Sequence, residues 1–174
     1  MHAVSVPGRP KKYKPQSYRL DESAKIAKAV RHNDAAFVAV SIATFAGLRL
    51  SEIHSLRWAD FDGTMLRIQR SVWRTQVGPT KTEESEAPVP VIPALRHVLE
   101  TCRKKIQPKD EDYILAGERK GMPLNLHNLA NRVIKPALKA RGREWKGWKA
   151  WRGTRKRAVC IEGATKGDRC YTSA

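Results

Sequence analysis

The chain has 174 residues, 41% of them hydrophobic, with 34 lysines and arginines against 17 aspartates and glutamates, a formal charge of +17. That length bounds it to one domain with or without arms and is enough to bury a core, and the charge favours a polyanionic partner, nucleic acid first, over a generically basic structural protein. Three cysteines with no CxxC pair and five scattered histidines encode neither a disulfide framework nor a zinc site, and no apolar run is long enough to span a bilayer.

Residues 1–16 hold Pro7, Gly8, Pro10 and Pro15 among Arg9, Lys11, Lys12 and Lys14, a composition that resists packing and reads as a basic linker or arm. The start carries positive charge but no apolar stretch of the kind that directs secretion, so a cytoplasmic protein is expected. The folded part begins near Ser17. Leu20 and Asp21 open a helix in which Ile26, Ala27 and Val30 recur at helical spacing until the turn-forming His32, Asn33 and Asp34. A second helix over 35–46 is apolar nearly all round, which predicts a central place in the core. Gly47 ends it, and Ser51, Glu52, Ile53 and Leu56 start a short third helix that stops before a turn at Asp60 to Gly63, leaving Arg49 in the joint between two helices.

From Met65 the period changes to two. Leu66 and Ile68 alternate with Arg67 and Gln69, Val72 and Trp73 precede a turn at Gly78 and Pro79, and residues 87–91 read as the returning strand of a small antiparallel sheet with a polar hairpin at its tip. Pro93 opens another helix to about Ile106, with Leu95, Val98 and Leu99 on one face. Tyr113 to Leu115 suggests a short edge segment, and Leu124 to Ala140 is helical again, with Pro136 marking a kink or junction.

In EWKGWKAWRGTRKRAVCIEG, Trp145, Trp148 and Trp151 are spaced by three and interleaved with Lys146, Lys149, Arg152 and Arg155. Two compatible readings follow: an amphipathic helix whose tryptophans are core, and a nucleic-acid face. After Gly163 neither periodicity nor an apolar face remains, so residues 161–174 are expected to be a disordered tail.

Taken together, GLRLSEIHSLRW, the basic hairpin TKTEESEAPVPV and the late WKAWR resemble the catalytic domain of the tyrosine recombinases, the phage-integrase family of site-specific DNA recombinases, over about residues 17–157. The resemblance places the family's first arginine, in its G-L-R-x-S-E stretch, at Arg49, with Glu52 as the acidic partner. It places the lysine of the small sheet's turn at Lys81. The later H-x-x-R box reads K-A-W-R here, so Lys149 stands where histidine is usual and Arg152 at the second arginine. An ordinary surface pair for Arg49 and Glu52, or a helix-turn-helix reading of the same segment, are the competing accounts.

The chemistry this resemblance implies is transfer of a DNA phosphodiester through five-coordinate phosphorus with extra charge on the non-bridging oxygens. Two guanidinium forks match those oxygens and keep their protons, which stabilises that state without a metal or cofactor. Lys81 is the candidate acid at the leaving oxygen. Lys149 can donate a hydrogen bond in place of the histidine, but an ammonium offers no acceptor and so does not replace a base. Glu52 would position Arg49 through a charge-assisted pair.

The family's nucleophile is a tyrosine near the C-terminus, and Tyr171, the only tyrosine in that part, stands in a polar stretch without the apolar helix that would present it. The further His or Trp box and the helical domain that would precede the linker have no counterpart either. The expectation is therefore an α+β fold, mostly helical with a small antiparallel sheet, recombinase-like over 17–160 and with its C-terminal part missing. Such a fragment would expose core surface and be marginally stable. The function expected is a site-specific recombinase with impaired cleavage, or a DNA-binding remnant. Its partner would be double-stranded DNA, on which the family assembles homo-oligomers.

Overall fold

A computed structural model describes residues 16–73, 76–78, 88–119 and 121–152. The first helix, α1 (Leu20–Ala29), begins where Glu22 reaches back to accept the Arg19 N–H at 2.7 Å, and its carboxylates Asp21 and Glu22 sit in the first turn. Both satisfy or complement amides that helix geometry leaves unpaired. The second, α2 (Asp34–Ala46), starts at Asn33, whose side chain accepts from Ala36 N at 2.9 Å, and ends at Gly47 with φ of 64°. A left-handed residue costs glycine nothing, so the helix stops there. As its composition predicts, α2 is buried on most sides, and α1 together with the helical residues 50–55 and 93–106 packs against it.

A short helix, α3 (Leu50–Ser55), and a single 3-10 turn (Trp58–Asp60) follow. Strand β1 (Met65–Leu66) then pairs antiparallel with β4 (Val89–Pro90), and β2 (Ser71–Trp73) pairs with β3 (Gln76–Gly78). Among the described residues these form two two-stranded ribbons, so the small antiparallel sheet and its returning strand are present but divided where the alternation predicts continuity. The break has a physical cause in Asp60, whose carbonyl takes the Arg67 N–H at 2.9 Å while its carboxylate takes Arg70's guanidinium at 2.6 and 2.9 Å. The backbone between β1 and β2 is thereby drawn to the 3-10 turn instead of to a neighbouring strand. Gly78 corrects a second expectation, being the last residue of β3 and not a turn position, since Trp73 already pairs with Gln76.

Helix α4 (Pro93–Ile106) runs between the bounds that the proline and the apolar spacing suggest, and buries Leu95 and Leu99 against α2. The Tyr113 segment docks along Arg57 to Ala59, with Trp58 N donating to Asp112 O at 3.0 Å and Ile114 N to Leu56 O at 2.9 Å. Among the described residues the last long helical stretch is α5 (Leu126–Leu129), a π turn (Ala130–Ile134) and α6 (Lys135–Lys139). In that turn Lys135 N donates to Ala130 O, five residues back. Pro136 explains the position: it has no N–H for the carbonyl four residues earlier and its ring would strike that carbonyl in a regular α-helix, so the wider turn accommodates both.

The core gathers Ile42, Ile53, Leu56, Trp58, Leu66, Leu95, Leu99, Leu126, Ile134, Leu138 and Trp151 into one cluster centred on α2. Among the described residues no helix is long and apolar enough to cross a membrane.

Candidate active site

Arg49 occupies the joint between α2 and α3, as the residue before α3 with extended φ and ψ of −69° and 152°. Glu52, one turn on, holds it twice: one carboxylate oxygen accepts the Arg49 backbone N–H at 2.7 Å and the other accepts Nη1 of its guanidinium at 2.7 Å. Glu52 is buried to 6% exposure, while 41% of the Arg49 side chain is open to solvent. A buried carboxylate therefore fixes both the start of the helix and the direction of a reachable cationic fork. Gly47 makes this possible by turning the chain between the helices, and Leu48 and Ile53 pin the joint to the core.

The same short helix anchors the base of the β2–β3 ribbon. Ser55 Oγ donates to the Arg70 carbonyl at 2.5 Å, and the buried Asp60 holds the Arg70 side chain. Lys81, which the sequence assigns to the turn beyond this ribbon, lies outside the described residues, as does Tyr171.

Among the described residues the tryptophan segment forms a 3-10 turn over Trp148–Trp151, with Arg152 helical after it, in place of one amphipathic helix running through all three tryptophans. Gly147, at φ of 84°, keeps the preceding residues out of helical geometry, and in a 3-10 turn residues three apart stack above one another, so a three-residue spacing suits it. Trp148 and Trp151 are buried with ring centroids 5.5 Å apart, and Trp145 meets each of them at 5.3 Å. The aromatic rings are thus core, and the cations between them, Lys149 and Arg152, are exposed.

That turn is fastened to the start of the chain's first helix. Tyr18 N donates to Ala150 O at 3.1 Å, Lys146 N donates to the Tyr18 hydroxyl at 2.6 Å, and Trp151 Nε1 donates to Ser23 Oγ at 3.2 Å. Lys146 Nζ pairs with Glu22 at 2.8 Å and the Tyr18 and Trp151 rings lie 4.6 Å apart. Burial pushes the Tyr18 phenol up to about 12, with the Lys146 amide opposing and the charges of Glu22 and Glu144 adding to the rise. Residue spacing misses these partners, because the only sign of them in the sequence is an aromatic residue two positions ahead of a helix.

His54 is a further group that spacing does not single out. Burial holds its imidazole below the ordinary histidine value, with a hydrogen bond to the Leu124 backbone opposing and the nearby His127 adding to the fall. Its Nε2 is buried and has no hydrogen-bond partner among the described residues.

Arg49 and the pair Lys149 and Arg152 therefore ride on two different elements, α3 and the tryptophan turn, that both pack on α2. Each presents a basic side chain to solvent, which suits the holding of a phosphate or another oxyanion.

No protein-family model and no curated protein sequence matches the chain. Solved structures do. The crystal structure of XerA recombinase superposes with a TM-score of 0.65 at 17% identity, covering 91% of this chain and 53% of that one. The Tn1549 transposon integrase in complex with transposon right-end DNA gives 0.70 at 14% identity, covering 88% and 56%. The lambda integrase catalytic core gives 0.59 at 18% identity, covering 87% and 86%. The chain thus spans about half the length of the recombinase and transposon-integrase chains and most of the isolated catalytic core. With α2 at its centre, Arg49 at the joint and two short ribbons beside it, the chain has the catalytic-domain fold of the tyrosine recombinases.

Proposed function

We propose that this chain is the catalytic-domain portion of a tyrosine-type site-specific DNA recombinase or integrase whose own strand cleavage is impaired, so that it binds duplex DNA and grips a backbone phosphate without efficiently breaking it. The observation that carries the reading is the doubly held Arg49: a fork fixed by a buried Glu52 and open to solvent, in a fold shared with integrases that have been captured on DNA. In this reading Arg49 and Arg152 contact the non-bridging oxygens, Lys81 reaches the leaving oxygen and Lys149 donates where the family uses histidine. Glu52 supports by orientation alone. Partners are double-stranded DNA and further copies of the chain assembled on it, in the cytoplasm.

Impaired cleavage is supported by the departures in the sequence. Lys149 replaces a group able to accept a proton, and Tyr171 sits in the polar stretch TKGDRCYTSA rather than in an apolar helix pattern. Without cleavage the guanidinium pair still supplies affinity, since each neutralised phosphate releases counterions.

The test is incubation with supercoiled plasmid at low salt, then a denaturing gel for protein joined to DNA, with Tyr171→Phe, Arg49→Ala and Arg152→Ala alongside. Binding that weakens with salt, weakens again in both arginine variants and leaves no covalent adduct is the expected result. An adduct that disappears in Tyr171→Phe would show an active nucleophile and overturn the impairment. Absence of binding at low salt would overturn the DNA reading altogether.

A further inference from the structure

We propose that Tyr18 is a positioning residue for Arg152, tying the turn that carries this arginine to the segment where the basic arm joins the fold; the inference rests on the DNA reading above and names a residue outside the arginine, lysine and glutamate set. The reasoning starts from the turn itself. Residues 146–151, which lead into Arg152, contain one short 3-10 turn and a glycine at φ of 84°, so the backbone on that side does not by itself fix the direction in which Arg152 leaves the turn.

Tyr18 supplies what the turn lacks, gripping both of its ends at once. Its hydroxyl accepts the Lys146 amide just before Gly147, and its own amide donates to the Ala150 carbonyl two residues before Arg152. Its ring lies on Trp151, the residue next to Arg152, and Trp151 is held in addition by Ser23. Tyr18 is 1% exposed and Trp151 fully buried, so these contacts are made out of water, where a small displacement costs packing as well as hydrogen bonds. Arg152, exposed at the end of this assembly, inherits its position from it.

A purely structural role for Tyr18 would lower stability and leave the DNA contribution of Arg152 intact in whatever protein remains folded. A positioning role makes the two residues non-additive. The experiment measures affinity for a mixed-sequence DNA duplex over a salt series for the wild type, Tyr18→Phe, Arg152→Ala and the double variant, with thermal melts to confirm folding. Arg152→Ala is expected to weaken binding about fivefold and to reduce the salt slope by up to about 0.9, the share of one phosphate. Tyr18→Phe is expected to weaken binding about threefold with a smaller slope, and the double variant to bind no more weakly than Arg152→Ala. Ser23→Ala, which removes the Trp151 acceptor and no ring, should repeat the pattern if Tyr18→Phe fails to fold. Additive losses, or a Tyr18→Phe variant that binds like the wild type while Arg152→Ala does not, would overturn the positioning role alone. Arg152→Ala binding like the wild type would remove Arg152 from the DNA contact and overturn the positioning role with it, whereas a wild type that does not bind the duplex at low salt would overturn the DNA reading itself.

Discussion

The two arginine-bearing regions reach a similar outcome by opposite routes. At the Arg49 joint the partner is Glu52, three residues away, and the whole device of carboxylate, backbone amide and guanidinium is local. At the Arg152 turn the partners are Tyr18, Glu22 and Ser23, which are 124 to 128 residues from the groups they hold. The first is a helix-capping arrangement that forms as soon as α3 forms, whereas the second exists only after the chain has closed on itself. Local devices survive partial unfolding better than long-range ones, whose loop-closure entropy must be met first.

The comparison is broken most directly by Trp151→Ala. This residue is fully buried and ties the turn to α1, so its removal is expected to cost about 3–5 kcal/mol. Denaturant unfolding should show the loss of cooperativity centred on the tryptophan turn, with the Arg49 region still helical; equal loss of both regions would mean that they fold as one unit. Alkaline titration strikes the same turn more gently. Tyr18's phenol stands at about 12 against an ordinary 10.0, chiefly through burial, so the fold favours its protonated form. Its stabilising contribution is complete below the unfolded value and is lost as pH rises through the folded one, up to about 2–3 kcal/mol. Urea melts at rising pH, read against Tyr18→Phe and tyrosinate absorbance, should show the wild type falling faster.

On the local side, Glu52→Ala removes the acceptor of the Arg49 amide and guanidinium together, and is expected to cost about 1–2 kcal/mol. Its effect on DNA affinity should approach that of Arg49→Ala; a variant stable but unchanged in affinity would show that Arg49 needs no orienting carboxylate. The smallest effect belongs to Lys25→Ala. The Lys25 and Asp21 pair lies four residues apart on an exposed helix face at 3.3 Å, and its loss should leave the melting temperature within error of the wild type.

What could be read from the sequence follows the same division. Helices α2 and α4 were marked by Asn33, Gly47 and Pro93 with apolar spacing between, and Arg49 with Glu52 by their separation of three. The tryptophan turn was not legible in that way: three-residue spacing fits an amphipathic helix nearly as well as a 3-10 turn, and only Gly147's backbone decides between them. The two ribbons were read as one sheet because alternation continues through Ile68, while the carboxylate and carbonyl that interrupt the pairing belong to Asp60, outside the alternating run. Tyr18 offered no periodic signal at all, since a residue that acts through contacts with the far end of the chain leaves no local pattern.

The π turn ahead of Pro136 amounts to bookkeeping of helical phase. Leu126, Leu129, Ala130, Ile134 and Leu138 are the buried positions of this stretch, so Ile134 and Leu138 stand eight and twelve residues after Leu126. One residue fewer would place them seven and eleven on, within about 20° of Leu126 around a regular α-helix, against about 80° and 120° at eight and twelve. The stretch thus carries a single surplus residue, absorbed by widening one turn. Deleting the exposed Asn131 together with Pro136→Ala would remove both the surplus and the ring that needs the wider turn, leaving a continuous α-helix with the same buried face. Here, a one-residue deletion inside a helix would straighten the stripe instead of scrambling it.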